Sequence, residues 1–230
     1  MTDKKSSPRD RAPSVGLVTK EEVVRKIRYN YTFSHKDLSN RILDTLGKLI
    51  LDGLKPGKDV VQLLNEAATM IDKHLQIRTT TIGIRDPTDG MYRYVAMSGL
   101  NDDQWQAHKV LSYTRQDLFD PLKYRSSRIS DLTLVFLVED SPYNPDEITT
   151  YNSKLSSAMI RRSAEDCNEG DYFDIHIKGP GDELLGWIEI SGTNYGKMPD
   201  ANVLRWIEMI ATVLGLVLTS RGYTRNNGTR

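Results

Sequence analysis

Asp174, His176, Trp187 and Glu189 place two carboxyls, an imidazole and an indole in one short stretch of chain. Asp174 and His176 alternate with Phe173, Ile175 and Ile177, while Trp187 and Glu189 alternate with Ile188 and Ile190. Residues two apart in a strand share a face, so the four belong to one side of a two-stranded hairpin and the aliphatic set to the other. Asp174 and Glu189 could share a proton across the strands, the arrangement some hydrolases use. Like charges directly opposed also destabilise a strand pair, and register is not readable from sequence. His176 could hydrogen-bond a ligand or ligate haem iron, or be a strand histidine paired inside the protein. Trp187 could stack on a ring-bearing ligand or simply pack.

The remaining reactive groups form no constellation. Cys167 is the only cysteine, which excludes an intramolecular disulfide and Cys-rich metal sites. It lies among Glu165, Asp166 and Glu169, whose charge disfavours a thiolate. His35, His74 and His108 lack the i, i+4 spacing of a zinc helix, and His74 falls at a predicted helix end, where it would sit favourably against the dipole. Gly179-Pro-Gly-Asp182 is glycine-rich but joins two strands and lacks the Gly-Lys-Ser/Thr ending of a phosphate loop, so it reads as a hairpin turn. No nucleophile–base pair is visible, so no catalysis and no metal are expected, and no cofactor is specified.

The chain has 230 residues and balances 31 Lys and Arg against 31 Asp and Glu. Zero net charge argues against a nucleic-acid partner for the whole protein. A single cysteine suits a reducing cytoplasm. No run of about 18 uninterrupted apolar residues occurs, so no membrane span is expected.

Positioning the hairpin requires a predicted order of elements. Residues 1–36 read as a basic, mostly disordered arm, with nine Lys and Arg against four Asp and Glu and a short helix opened by Thr19-x-x-Glu22. A helix is expected from Asp37 to Leu54 on the stripe Leu43, Leu46, Ile50, Leu54, stopped by Lys55-Pro-Gly57. A second should run from Lys58 to Leu75 on Val61, Leu64, Ala68, Ile71 and Leu75. Thr79–Arg85 and Met91–Met97 form a hairpin about Asp86-Pro-Thr-Asp-Gly90. Asn101–Leu111 reads as a short helix, Leu132–Glu139 as a buried central strand, and 147–162 as a helix. Asp200–Arg221 closes the domain as a helix with a broad apolar stripe centred on Leu204, Ile207, Ala211, Leu214 and Leu218. That breadth exceeds what packing on a sheet alone needs, and implies that it also meets Asp37–Leu54 or the same helices of a second copy. Residues 222–230 read as a tail. Strands flanked by terminal helices make the class α+β, with an antiparallel sheet.

The layout over 37–221 resembles the GAF domain family. The resemblance is carried by Leu43 to Asp72 at the start and by Gly170-Asp-Tyr-Phe-Asp-Ile-His-Ile, Leu185-Gly-Trp-Ile-Glu-Ile and Pro199 to Glu208 at the end, with Tyr124-Arg-Ser-Ser-Arg128 between. It implies a six-stranded antiparallel sheet, helices on one face and a small-molecule pocket on the other, hence a non-enzymatic sensor in signal transduction. Such a sensor would act as a homodimer through its terminal helices or through a signalling partner. The chain departs from three specialised branches. The Asn-Lys, Phe, Asp-Glu signature of cyclic-nucleotide binders is absent, the several cysteines of methionine sulfoxide reductases are missing, and no histidine adjoins Cys167 as bilin binding requires. The alternative reading is a dimeric scaffold or transcription-associated module whose basic arm contacts nucleic acid or protein.

Overall fold

The computed structural model describes residues 18–34, 37–140 and 161–224. It divides into two compact units, Met1–Asn40 and Arg41–Arg230. In the first, helix α1 (Lys20–Ser34) starts at the expected capping box. The Thr19 amide donates to Glu22 Oε2 at 3.0 Å and the Glu22 amide donates to Thr19 Oγ1 at 3.2 Å. The expected helix 147–162 falls outside the described residues apart from Arg161 and Arg162, which are irregular.

The second unit is built on α2 (Leu38–Leu54), α3 (Val60–Leu75), β1 (Thr80–Arg85), β2 (Tyr92–Ser98), α4 (Asp102–Lys109), α5 (Arg115–Leu118), β3 (Ser127–Arg128), β4 (Thr133–Phe136), β5 (Tyr172–Lys178), β6 (Leu184–Ile190) and α6 (Ala201–Ser220). The strands form one sheet in the order β2-β1-β6-β5-β4-β3, every pair antiparallel. β4 is therefore not central as its apolar run suggested. It lies one strand from the edge, and β1, β6 and β5 hold the middle.

Helices α3 and α6 pack on one sheet face, α3 over β1 and β2 and α6 over β5 and β6. Phe173, Ile175, Ile177, Ile188 and Ile190 point into that interface and are buried. Each such side chain contributes roughly 1.5–3 kcal/mol on leaving water. Asp59 caps α3, accepting from the Val61 amide at 3.1 Å. α2 buries a stripe different from the expected one: Ile42, Leu46, Leu49 and Gly53 face the core, while Leu43, Ile50 and Leu54 are exposed. Gly53 decides the choice, because a Cβ there would stand 2.6 Å from Val217 of α6. Within the same chain α6 also packs on α3, and it meets α2 near their C-terminal ends, where Arg221 Nε donates to the Gly53 carbonyl at 2.7 Å. Helix α6 is long and apolar enough by composition to cross a membrane, and eight of its residues, from Ile207 to Leu218, are buried inside the fold.

The opposite sheet face carries a second, smaller cluster: Tyr92, Tyr94, Tyr113, Leu184 and Trp187, with Trp105 of α4 and Leu118 of α5 against it. Two bulges make this possible. Between Ile82 and Gly83 the β1–β2 register slips, so Ala96 faces the helices while Tyr94 and Tyr92 turn to the other side. A slip between Ile177 and Lys178 likewise turns Leu184 to the other face and Leu185 to the helical one, against the alternation of Gly186–Ile190. An extra residue reverses the in–out alternation downstream of it.

Candidate functional site

Strand pairing fixes what the sequence left open. Asp174 lies directly opposite Glu189, and His176 opposite Trp187. On the other side of β6, Glu189 faces Thr81 and Trp187 faces Gly83. Gly83 supplies a bare patch of backbone on which the Trp187 indole lies, since a Cβ there would stand 2.2 Å from the ring. Trp187 is only 3% exposed, with Tyr94 edge-on at 5.1 Å and Tyr113 at 6.2 Å between centroids. The Tyr94 hydroxyl donates to Glu189 Oε2 at 2.7 Å.

These side chains border a small inner cavity of about 30 Å³, lined by Asp174, Glu189, Trp187, Tyr94, Tyr113, Tyr124, Tyr172, Phe136 and Leu118. Beside it lies an outer cavity of about 310 Å³, between β1, the residues leading into β5 and the start of α4. Arg78, Thr81, Leu100, Gln104, His108, Asp171 and Ser191 are on its wall. Tyr172 and Glu189 line both. Two buried oxygens at these cavities, Asp174 Oδ1 and Thr81 Oγ1, lack a hydrogen-bond partner. Buried polar atoms are nearly always paired, so these two are exceptions. A third cavity of about 370 Å³ runs between α2 and α3. No partnerless buried polar atom lines it among the described residues.

The electrostatics separate the groups. Burial, reinforced by the facing Glu189, pushes the Asp174 carboxyl well above the usual carboxylate range. His176 is driven down to about 4 by burial, then by Lys178 and Arg128, so it is neutral at pH 7. It lines neither cavity on this face and instead meets the edge of Phe119 at 5.5 Å. The structure thus brings Asp174, Trp187 and Glu189 together and leaves His176 beside them, outside the hollow. Asp171 is fully engaged: it holds Arg161 Nη2 at 2.9 Å and accepts from the amides of Val138 and Asn168. Arg161 also binds Glu139, and this double pairing raises its already high pKa. Asp171 therefore anchors the approach to β5. Cys167 is buried and its thiol is pushed up to about 11 by burial and then Asp171, not by Glu165, Asp166 and Glu169. Burial, then Arg41 and Lys73, lower the pKa of His74 at the end of α3. No group of three or more metal-ligating side chains occurs among the described residues.

Sequence reading missed Tyr94, Tyr113, Tyr124, Thr81 and His108. His108 is 3% exposed, its Nδ1 lies 2.8 Å from the Gln104 carbonyl, and it lies on the wall of the outer cavity. Tyr94 reaches the site only because of the β2 bulge. The run of tyrosines at 92, 94, 113, 124 and 172 was the available signal.

No protein-family model matches the chain, and no curated protein matches it in sequence. Solved structures do match in fold. The GAF domain/HD domain protein from Geobacter sulfurreducens superposes with a TM-score of 0.52 at 9% identity, covering 72% of this chain and 95% of that one. The GAF domain of an Acinetobacter phosphoenolpyruvate-protein phosphotransferase gives 0.48 at 12% identity, covering 82% and 98%. A phycoerythrobilin-bound GAF domain from a cyanobacterial phytochrome gives 0.47 at 13%, covering 80% and 95%.

Proposed function

We propose, taking as premise that this chain has the fold of a GAF domain, that it is a regulatory sensor that binds a small molecule on the sheet face opposite α3 and α6. The observation that carries this reading is the pair of adjoining cavities with partnerless oxygens on Asp174 and Thr81. Apolar walls with a few convergent polar groups are the usual form of a ligand site. We read this site as a binding site: among the described residues, its lining is two acids and a ring of aromatic side chains.

The sheet itself links the cavity to the helices. β5 presents Asp174 to the cavity and Ile175 to the helical side, where α6 packs on it. Gly215 of α6 sits so close to β5 that a Cβ would stand 2.2 Å from the Lys178 carbonyl oxygen. Glu208 of α6 accepts from Thr133 Oγ1 of β4 at 2.7 Å and from Ser130 Oγ. A guest that shifts β5 or β4 therefore moves α6. Leu43, Leu51 and Leu54 on α2 and Met209 and Leu216 on α6 remain exposed, and they supply the surface through which a second copy or a signalling partner receives the change.

The test is a thermal-shift screen of the purified chain against nucleotides, haem, amines, organic acids and amino acids. A true ligand at 100 times its Kd adds about 2.7 kcal/mol, a rise of roughly 5–10 °C for a domain of this size. Sedimentation with and without that ligand reports the assembly, and Leu54→Glu with Leu216→Glu should weaken it. A chain lacking residues 1–36 should keep the full thermal response. A screen in which no compound of any charge raises the melting temperature contradicts the sensor reading.

A further inference from the structure

Resting on the ligand-binding reading above, we infer that the guest is a small primary amine whose ammonium group enters the inner cavity between Asp174 and Glu189, with its body in the outer cavity. Three observations converge. The first is charge. Two carboxyl side chains face each other across β5 and β6, and no Lys, Arg or His lines that cavity. Asp174 Oδ1 is buried without a partner. An anion would meet two acids there. A hydroxyl would bring one donor, whereas an ammonium brings three and a positive charge.

The second is the surrounding surface. Trp187, Tyr94, Tyr113, Tyr124 and Tyr172 enclose the acids, and aromatic faces attract cations. The rim already shows this preference within the chain: Lys123 Nζ stands 5.1 Å from the Tyr124 ring centre and 5.8 Å from that of Tyr113. The third is size. The inner cavity, about 30 Å³, accommodates a group of about a water molecule's dimensions. An –NH₃⁺ head fits, and a trimethylammonium or a ring does not. Glu189 and Tyr172 line both cavities, so a chain can run from this head into the outer 310 Å³.

Binding of this kind is proton-linked. In the empty site burial and Glu189 favour a protonated Asp174, and an arriving ammonium replaces that proton, which leaves to solvent. The titratable groups that line the cavity with Asp174 are Glu189 from β6, Tyr94 from β2, Tyr172 on β5 and Tyr124 and Tyr113 from the connecting segments, with Lys123 against the last two rings. Amine affinity should therefore rise with pH, by up to about tenfold per unit, until Asp174 is ionised without a guest.

The experiment is calorimetric titration of the full chain at pH 6, 7 and 8 with n-butylamine, phenethylamine and 1,4-diaminobutane, set against 1-butanol, butyrate and tetramethylammonium. At least one amine should bind tenfold or more tightly than its alcohol and acid counterparts, and tetramethylammonium should not compete with it. Asp174→Asn, which keeps the shape, should weaken the amine at least tenfold and flatten its pH dependence, and Glu189→Gln should do likewise while both variants still melt cooperatively. Equal or better binding of 1-butanol or butyrate, a pH-independent amine affinity, or an unchanged affinity in Asp174→Asn overturns the amine assignment. If the amines fail while another compound in the thermal screen binds, the assignment falls and the sensor reading stands. If nothing binds in either experiment, both fall.

Discussion

Asp174→Asn should make the fold more stable than the unaltered chain at neutral pH, by a margin that grows as pH rises. In the folded state burial and Glu189 hold the Asp174 carboxyl well above its ordinary value of 3.8. Between that value and the folded one, the folded chain keeps a proton that the unfolded chain has released. Stability depends on pH as the difference in bound protons, unfolded minus folded. The difference is negative here, so this carboxyl's contribution is fully present at low pH and is lost as pH climbs through the window. One proton gives a slope of about 1.4 kcal/mol per pH unit at most, or roughly 3–5 °C in Tm per unit for a domain of this size. Because Asp174 and Glu189 face each other, the proton belongs to the pair rather than to one residue. An asparagine is neutral and of the same shape, and removes the penalty. The assay is circular-dichroism melting of both proteins in half-unit steps from pH 4.5 to 8. Subtracting one curve from the other cancels the titrating groups outside the pair. A variant-minus-wild-type difference that stays flat, or falls with pH, would refute the buried-pair argument.

Three further perturbations test the framework around the site. Gly83→Ala puts a methyl against Trp187 and should cost about 1–3 kcal/mol by urea denaturation; pairing it with Trp187→Leu should recover part of the loss, and a neutral single variant would contradict the indole's position. Arg85, 5% exposed at its side chain, donates through Nη1 to Glu183 at 2.8 Å and through Nη2 to the Tyr223 carbonyl at 2.6 Å. Arg85→Met should destabilise by about 3 kcal/mol because it breaks a largely buried ion pair, and adding Glu183→Gln should restore some of it. Cys167, with its thiol near 11, should react with iodoacetamide at pH 7.5 at least about tenfold more slowly in the folded chain than in urea; equal rates would show the thiol to be accessible.

Much of this fold was legible because its signals are local. Proline and glycine at 56 and 57 separate α2 from α3, Thr19 and Glu22 begin α1, and alternation in β5 and β6 assigns Ile175 and Ile188 to the helical side. What was not legible depends on contacts distant in sequence. Helix α2 carries two apolar stripes, and only the approach of Val217 to Gly53 selects Ile42, Leu46 and Leu49 for the core. The rank of β4 in the sheet rests on which strands pair, and a run of apolar residues says only that a strand is covered on both faces. At the site, Asp174 and Glu189 were named on alternation, and pairing placed them opposite one another. The tyrosines that enclose them come from four separate segments, one of them redirected by a bulge. His176 had the same alternation as Asp174 but stands two residues further along β5, beyond the hollow and under Phe119.

The three tryptophans provide the most direct measurement. Trp187 borders the inner cavity, Trp105 lies on α4 against the same aromatic cluster, and Trp206 lies on α6 against the helical core. Each indole N–H gives one resolved proton–nitrogen NMR signal, assignable by replacing each Trp with Phe. On titration with a compound that raises the melting temperature, the Trp187 signal should move most, Trp105 next, and Trp206 should follow at the same saturation point. A ligand that leaves Trp187 unmoved, or that shifts Trp206 alone, would contradict a sensor whose guest binds on the face opposite its terminal helices.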